Sequence, residues 1–273
     1  MTTAKKVNGT DKLFALNTTL LAATIPVGDA QFNPQNTISL VQPYFHLQTS
    51  YHPAVTEFLN NRHNLFSGSV AFSLLLITNA KNFYWLSLGS SIAEDEHTIH
   101  NAQPRISAFG LGSYQTGEDF KLLYGGAITY QFEKGLFLPI VGFKWKTGEK
   151  GRFQTILPFS LVLETIENDG IKVKYVLTLD GDRFRMENDG SFSNVSKFIY
   201  MRATNILAGV GCVVPDGNFE YAFQLGVLMA RQVYVYSGDN VVLDATVRPS
   251  LRVSLGCKYN IGTSPFAKIG EVE

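Results

Sequence analysis

Between residues 241 and 261 every odd position is apolar (Val241, Leu243, Ala245, Val247, Pro249, Leu251, Val253, Leu255, Cys257, Tyr259, Ile261), while the even ones include Asp244, Thr246, Arg248, Ser250, Arg252, Ser254, Lys258 and Asn260. Only a β-strand sends alternate residues to opposite faces with that regularity, so the run excludes a helix and predicts one long amphipathic strand. The same period recurs upstream. Phe66, Val70, Phe72, Leu74 and Leu76 alternate with Ser67, Ser69, Ala71 and Ser73; Leu122, Tyr124, Ile128, Tyr130 and Phe132 alternate with Lys121, Gly125, Ala127, Thr129 and Gln131.

Short Gly, Asn and Asp clusters cut these runs at even intervals, near residues 79–82, 117–119, 133–135, 147–151, 167–170, 215–218 and 237–240. The spacing predicts about twelve strands, starting near Leu13, Ile38, Leu65, Asn82, Arg105, Phe120, Leu136, Arg152, Ile171, Lys197, Asn218 and Val241, joined as antiparallel hairpins. Longer connections fall at 28–36, 51–64, 94–103 and 188–196, with AVTEFLNN (54–61) reading as a short helix. Neither a domain boundary nor a 20 to 50 residue repeat is visible, so residues 1–273 form one domain with tails at 1–11 and 262–273.

Composition removes several classes of function. Lys and Arg number 23 and Asp and Glu 23, without a basic stripe, which excludes nucleic acid as a partner. With 45% apolar residues the chain is not disordered. No apolar run reaches the roughly 18 residues of a membrane helix. The start, MTTAKKVNGTDKLF, lacks the apolar core of a secretory signal, which leaves a chain that stays inside the cell or a mature one that has lost its leader. Cys212 and Cys257 make neither a disulfide framework nor a zinc site; on strands two apart they are expected about 9 to 10 Å from each other, as free thiols.

Alternation leaves open whether the apolar face meets a core or lipid, and three arguments choose lipid. About twelve strands enclose more space than the eight whose side chains just fill a barrel. The other face is largely Ser, Gly, Ala and Thr, as at Ser87, Gly89, Ser91 and Ala93, and only 17% of residues are charged, too few for a wall covered by water. Aromatics gather near strand ends, at Phe14, Phe83, Tyr84, Trp85, Tyr130, Phe132, Phe137, Trp145, Phe153, Phe198, Tyr200, Tyr234, Tyr236 and Tyr259, as in the girdles of a membrane barrel. The expected fold is an all-β, antiparallel up-and-down transmembrane β-barrel embedded in an outer-membrane bilayer. A soluble ligand-binding β-barrel or two-sheet sandwich, apolar face inward, is the alternative.

The segment FLPIVGFKWKTGEKGRFQTILPFSLVLETIENDGIKVKYVLTLDGDRFRM (137–186) resembles a functionally uncharacterised family of bacterial outer-membrane β-barrel proteins. The resemblance is carried by Leu138, Pro139, Ile140 and Gly142 on one strand, Leu157 and Pro158 on the next, and Gly181 and Phe184 on a third. It implies location and architecture, and brings neither catalytic residues nor a cofactor. The closing residues, GTSPFAKIGEVE, depart from the aromatic last residue usual in such barrels.

Few constellations carry chemistry. In EDEHTIH, His97 and His100 stand among carboxylates, weak candidates for a metal, at a spacing that matches no helical zinc motif; a solvated turn is expected. His46, His52 and His63 read as interfacial or hydrogen-bonded. A lipid-modifying barrel enzyme needs a Ser/His pair, and the sequence singles none out. GVGCVV from Gly209 is a strand rather than a nucleotide loop. The best lead is charge on the polar face: Lys172, Lys174, Asp244, Arg248, Arg252 and Lys258 are expected to line the lumen, since a charge facing lipid costs about 2 to 4 kcal/mol at mid-bilayer. They form either a constriction that selects solutes or a salt-bridged plug joined by Asp180, Asp182, Arg183, Arg185 and Glu187. Arg248 and Arg252 would stack about 13 Å apart on one wall. Arg202 and Arg231 have no clear face.

Overall fold

The computed structural model describes the chain except residues 1–4, 7–12, 29–30, 33–37, 57–62, 79–81, 132–133, 168–169, 194 and 260–273. In chain order the strands are β1 (Lys5–Lys6), β2 (Leu13–Leu16), β3 (Thr19–Pro26), β4 (Gln31–Phe32), β5 (Ile38–Thr56), β6 (His63–Thr78), β7 (Asn82–Asp95), β8 (Arg105–Gln115) and β9 (Phe120–Gln131). They continue as β10 (Lys134–Lys146), β11 (Gly151–Leu157), β12 (Ser160–Ile166), β13 (Lys172–Glu187), β14 (Phe198–Asp216), β15 (Phe219–Ser237), β16 (Asn240–Val247) and β17 (Ser250–Tyr259). One 3-10 turn, Ile99–Asn101, lies between β7 and β8.

From β5 to β15 each strand pairs antiparallel with the next. β2, β3 and β4 all lie along β5, and β16 and β17 both lie along β15. With the short β1 set aside, the described strands therefore make thirteen successive arms of one sheet. The expected strand from Arg152 is two: Pro158 has no amide hydrogen to donate, and the Phe159 N–H donates to the Ile156 carbonyl at 2.7 Å, turning β11 back into β12. Two hairpin turns follow directly from sequence. Gly217-Asn218 and Gly238-Asp239 are two-residue loops whose first residue has a φ of +59°, which glycine alone adopts without cost.

Within the expected N-terminal tail, Lys5–Lys6 pair with β2. Ala54 to Thr56 end β5, and the rest of the expected helix lies outside the described residues, as does the tail from 262.

β7 runs on past its pairing with β8, which ends at Ser91 opposite Arg105, and β13 runs on past β12, which ends at Ser160 opposite Thr178. The two bare edges meet, with Arg185 opposite Glu94 in parallel register, so β7 to β13 close into a barrel of seven strands from which the others extend. Six steps of alternation separate β7 from β13, so they run in the same direction and only a parallel contact is open to them.

The apolar residues of most strands point away from this enclosure. Phe45, Leu47, Val70, Phe72, Leu86, Leu88, Leu122, Ile128, Val141, Leu177 and Leu179 are all exposed. Their neighbours in sequence face inward, where Ser73 donates to Ser87 across two strands at 2.8 Å. Aromatics collect at the ends of the outer wall, Trp145 with Phe120, Phe143 and Phe153 at one end and Tyr130 and Phe137 at the other. Three expected girdle aromatics instead point in. Phe14 is buried in the main core, and Phe83 and Trp85 pack on Leu40, Tyr44, Leu75 and Ile77; Phe132 lies outside the described residues.

The stripe at 241–261 is not one face. Ala245 and Val247 of β16 are buried, Arg248 and Pro249 interrupt the pairing, and Leu251, Val253 and Leu255 of β17 are exposed. β15 switches at the same level: its odd residues from Phe219 to Met229 are exposed, Ala230 takes a φ of +46°, and Arg231, Val233 and Val235 are buried. One extra residue in a strand sends every later side chain to the other face. Past the switch Val233, Val235, Ala245 and Val247, with Phe14, Leu65, Phe184, Met186 and Met201, fill the main apolar core.

Candidate functional site

Charged side chains fall into three groups, the first two of them on the inward face and the third at the junction of β7 and β13. The first is built by register near the turn at 147–150. Phe137, Val141 and Trp145 of β10 are exposed outward, so Lys144 and Lys146 point in. Lys121 stands opposite Lys144 and Arg152 opposite Lys146; Glu164 is opposite Arg152, Lys174 opposite Glu164, and Lys172 two residues before it. Glu164 Oε2 lies 3.1 Å from Lys174 Nζ. Lys121 and Arg152 both repel Lys144, whose ammonium sits 5.7 Å from the centre of the Phe83 ring on β7.

The second group crosses from β17 to β13, where Arg252 donates to Asp180 at 2.6 Å. Asp180 also acts electrostatically on His52. His52 Nε2 lies 2.7 Å from Ser50 Oγ, its Nδ1 lies 3.1 Å from Thr18 Oγ1, and Ser50 Oγ lies 2.5 Å from Ser67 Oγ. A serine bonded to a histidine is the arrangement of an activated nucleophile. Here Ser50 and His52 are 6% and 3% exposed and the edge of His52 packs on Phe184, which leaves a substrate no approach; the contacts satisfy buried polar groups.

The third group lies where β7 and β13 meet. Glu94 and Arg185, both fully buried, approach to 3.6 Å, and the Arg185 guanidinium lies 4.5 Å from the centre of the Phe198 ring. Arg105 sits in the fork and donates to the carbonyls of Arg183 at 2.8 Å and Ala93 at 3.1 Å, on the stretches of backbone that have left β12 and β8 behind. Asp95 accepts from the Thr98 amide at 2.8 Å, the Thr98 hydroxyl at 2.9 Å and the Glu187 amide at 3.0 Å. Buried His63 lies 3.4 Å from Asp95 and 3.9 Å from Asp189.

The six residues expected to line the lumen are thus dispersed. Lys172 and Lys174 join the first group and Arg252 the second. Lys258, 3.7 Å from Glu220, is largely exposed. Asp244 lies on the face opposite buried Ala245 and Val247, because the phase of β16 is the reverse of that of β17. Arg248 falls in the break between those strands, so the expected Arg248–Arg252 wall does not form; its carbonyl accepts from Arg231 at 3.2 Å. His97 and His100 are exposed, His97 being 3.8 Å from Glu96, and among the described residues no group of three or more His, Cys, Asp or Glu is placed to hold a metal.

Sequence reasoning missed Lys121, Lys144, Arg152, Arg105 and the buried Arg231. For Arg231 a signal exists: it is the one charge in the odd stripe of β15 and marks where that stripe turns inward. Cys212 and Cys257 are free, on β14 and β17 with β15 between them, as the strand order requires.

Gly142 acquires a reason from the geometry: a Cβ there would collide with the Thr155 carbonyl of β11. No curated protein and no solved structure matches the chain. Residues 35–260, the greater part of it, match the family described as a domain of unknown function (DUF6268), and the protein belongs to that family.

Proposed function

We propose that the protein is an integral β-barrel of the bacterial outer membrane, porin-like or structural and not catalytic, with the bilayer against its apolar wall and a polar, charged lumen. The observation that carries this reading is the height of the exposed apolar band. On β15 it runs from Phe219 to Met229. At about 3.3 Å per residue and a tilt near 40°, those steps rise about 25 Å, the thickness of the apolar band on outer-membrane barrels. Val210 and Val214 on β14 and Leu251, Val253 and Leu255 on β17 continue the band to either side. A water-facing wall with so continuous an apolar surface would drive aggregation.

In this reading Lys172, Lys174, Arg252 and Lys258 face the lumen, and the Arg252–Asp180 bond is a strut across it. Folding into detergent should give heat-modifiable migration on SDS gels, and the folded chain should float with liposomes. A monodisperse monomer in detergent-free buffer, expressed without refolding, would overturn the proposal.

A further inference from the structure

We infer that the inward-facing cationic group near the 147–150 turn is a binding site for multivalent oxyanions of the phosphate class, entering the barrel as solutes. The inference deepens the proposed function and rests on its claim that the inward face holds water. Lys121, Lys144, Lys146, Arg152, Lys172 and Lys174 project from four of five consecutive strands, and Glu164 is the carboxylate standing opposite Arg152 and Lys174 within the same face. Side chains on directly opposed residues stand about 5 Å apart, and strands about 4.8 Å, so the group spans the several oxygens of one polyanion. Lys144 and Arg152 are exposed although Lys144 points inward, so the group is reachable by solvent.

Like charges held together repel. Lys121 and Arg152 act against Lys144, and Glu164, 3.1 Å from Lys174, offsets only part of that field. An incoming anion relieves the repulsion at Lys144, and the low-dielectric wall concentrates the potential at the opening. Ammonium groups supply point charges and Arg152 a planar fork, the combination that suits phosphoryl oxygens. Across the enclosure the Lys144 ammonium meets Phe83, which lies two residues from Trp85 on the same face of β7 and packs on the same apolar cluster, so a ligand at Lys144 changes the surroundings of an inward-facing tryptophan.

The test uses the full chain folded in detergent with Trp145→Phe, which leaves Trp85 as reporter, since the chain has 2 Trp. Inorganic pyrophosphate is titrated at low salt by Trp85 fluorescence and by calorimetry, with phosphate and chloride as competitors. Pyrophosphate should bind more tightly than phosphate and phosphate more tightly than chloride, and added salt should weaken all three. The triple variant Lys121→Gln/Lys144→Gln/Arg152→Gln should lose affinity on the order of a hundredfold, as expected for several charge-assisted contacts. Lys144→Gln alone should lose a smaller part, which keeps the test valid if the triple variant fails to fold. Lys258→Gln, outside the group, should bind as the parent does. Absence of binding by the parent, or equal affinity in the Lys121, Lys144 and Arg152 variants, would overturn the inference. Liposome flotation of the same preparation reads the membrane assignment separately, so either can fail alone.

Discussion

Leu225 offers the sharpest test of which solvent meets the apolar wall. It lies on the exposed face of β15, 42% exposed, between Val210 on β14 and Val253 on β17, which are exposed on the same face. Counted from Phe219 at the strand's start, its position is about 20 Å along the strand, or about 15 Å deep at a tilt near 40°, close to the middle of a band about 25 Å tall. An arginine at mid-bilayer costs about 2 to 4 kcal/mol, and one at the interface about 0 to 1. If the wall instead faced water, either substitution would lie within about 0.5 kcal/mol of the parent, since neither removes a buried contact. Urea unfolding of the liposome-folded parent, Leu225→Arg and Phe219→Arg measures the difference. The expected result is a loss at Leu225 that exceeds the loss at Phe219 by about 2 kcal/mol. Equal, small effects at both positions would refute the lipid-facing assignment.

Glu94→Gln should cost about 3 to 5 kcal/mol in the same assay, because it leaves buried Arg185 without its counter-charge; Glu94→Gln/Arg185→Met should recover much of that loss. Ala230→Gly should stabilise by about 1 kcal/mol, since φ is +46° there and glycine adopts it without a Cβ clash. Burial pushes the Asp189 carboxyl up, but bonds from the hydroxyl and amide of Ser191 and the nearby His63 outweigh it and hold the group below the usual carboxylate range. Its folded value is depressed, so it contributes stability at neutral pH that is lost as pH falls through that folded value, below the ordinary figure of about 3.9; Asp189→Asn should flatten that acid limb in a pH series of unfolding midpoints. Thiol titration of the denatured, unreduced monomer should find both Cys212 and Cys257 free, and in the folded protein exposed Cys257 should react first.

The strands were legible because alternation is local: each side chain declares its face relative to its neighbours, and Gly-Asn and Gly-Asp declare the hairpins at 217 and 238. Contacts between distant hairpins were not. Lys121, Lys144 and Arg152 stand on three strands, and only the register of those strands brings them together; Glu94 and Arg185 meet only because β8 and β12 stop short. The hardest feature was the change of face in β15 to β17. A wall against lipid and a core against protein ask for the same apolar side chains, so Met229 and Val233, or Val247 and Leu251, keep the same odd phase although the destination has changed. Periodicity measures which residues share a face and is blind to which side of the sheet that face lies on. What betrays the switch is chemistry that only one destination tolerates. Arg231 would be costly in lipid, but inside it donates to the Ser250 hydroxyl at 2.9 Å and to the Arg248 carbonyl at 3.2 Å, beside Pro249, which cannot itself donate to the ladder. A lone arginine in an apolar stripe, beside a proline that breaks the neighbouring strand, is therefore the mark in this sequence of where the strand turns from the outer wall into the core.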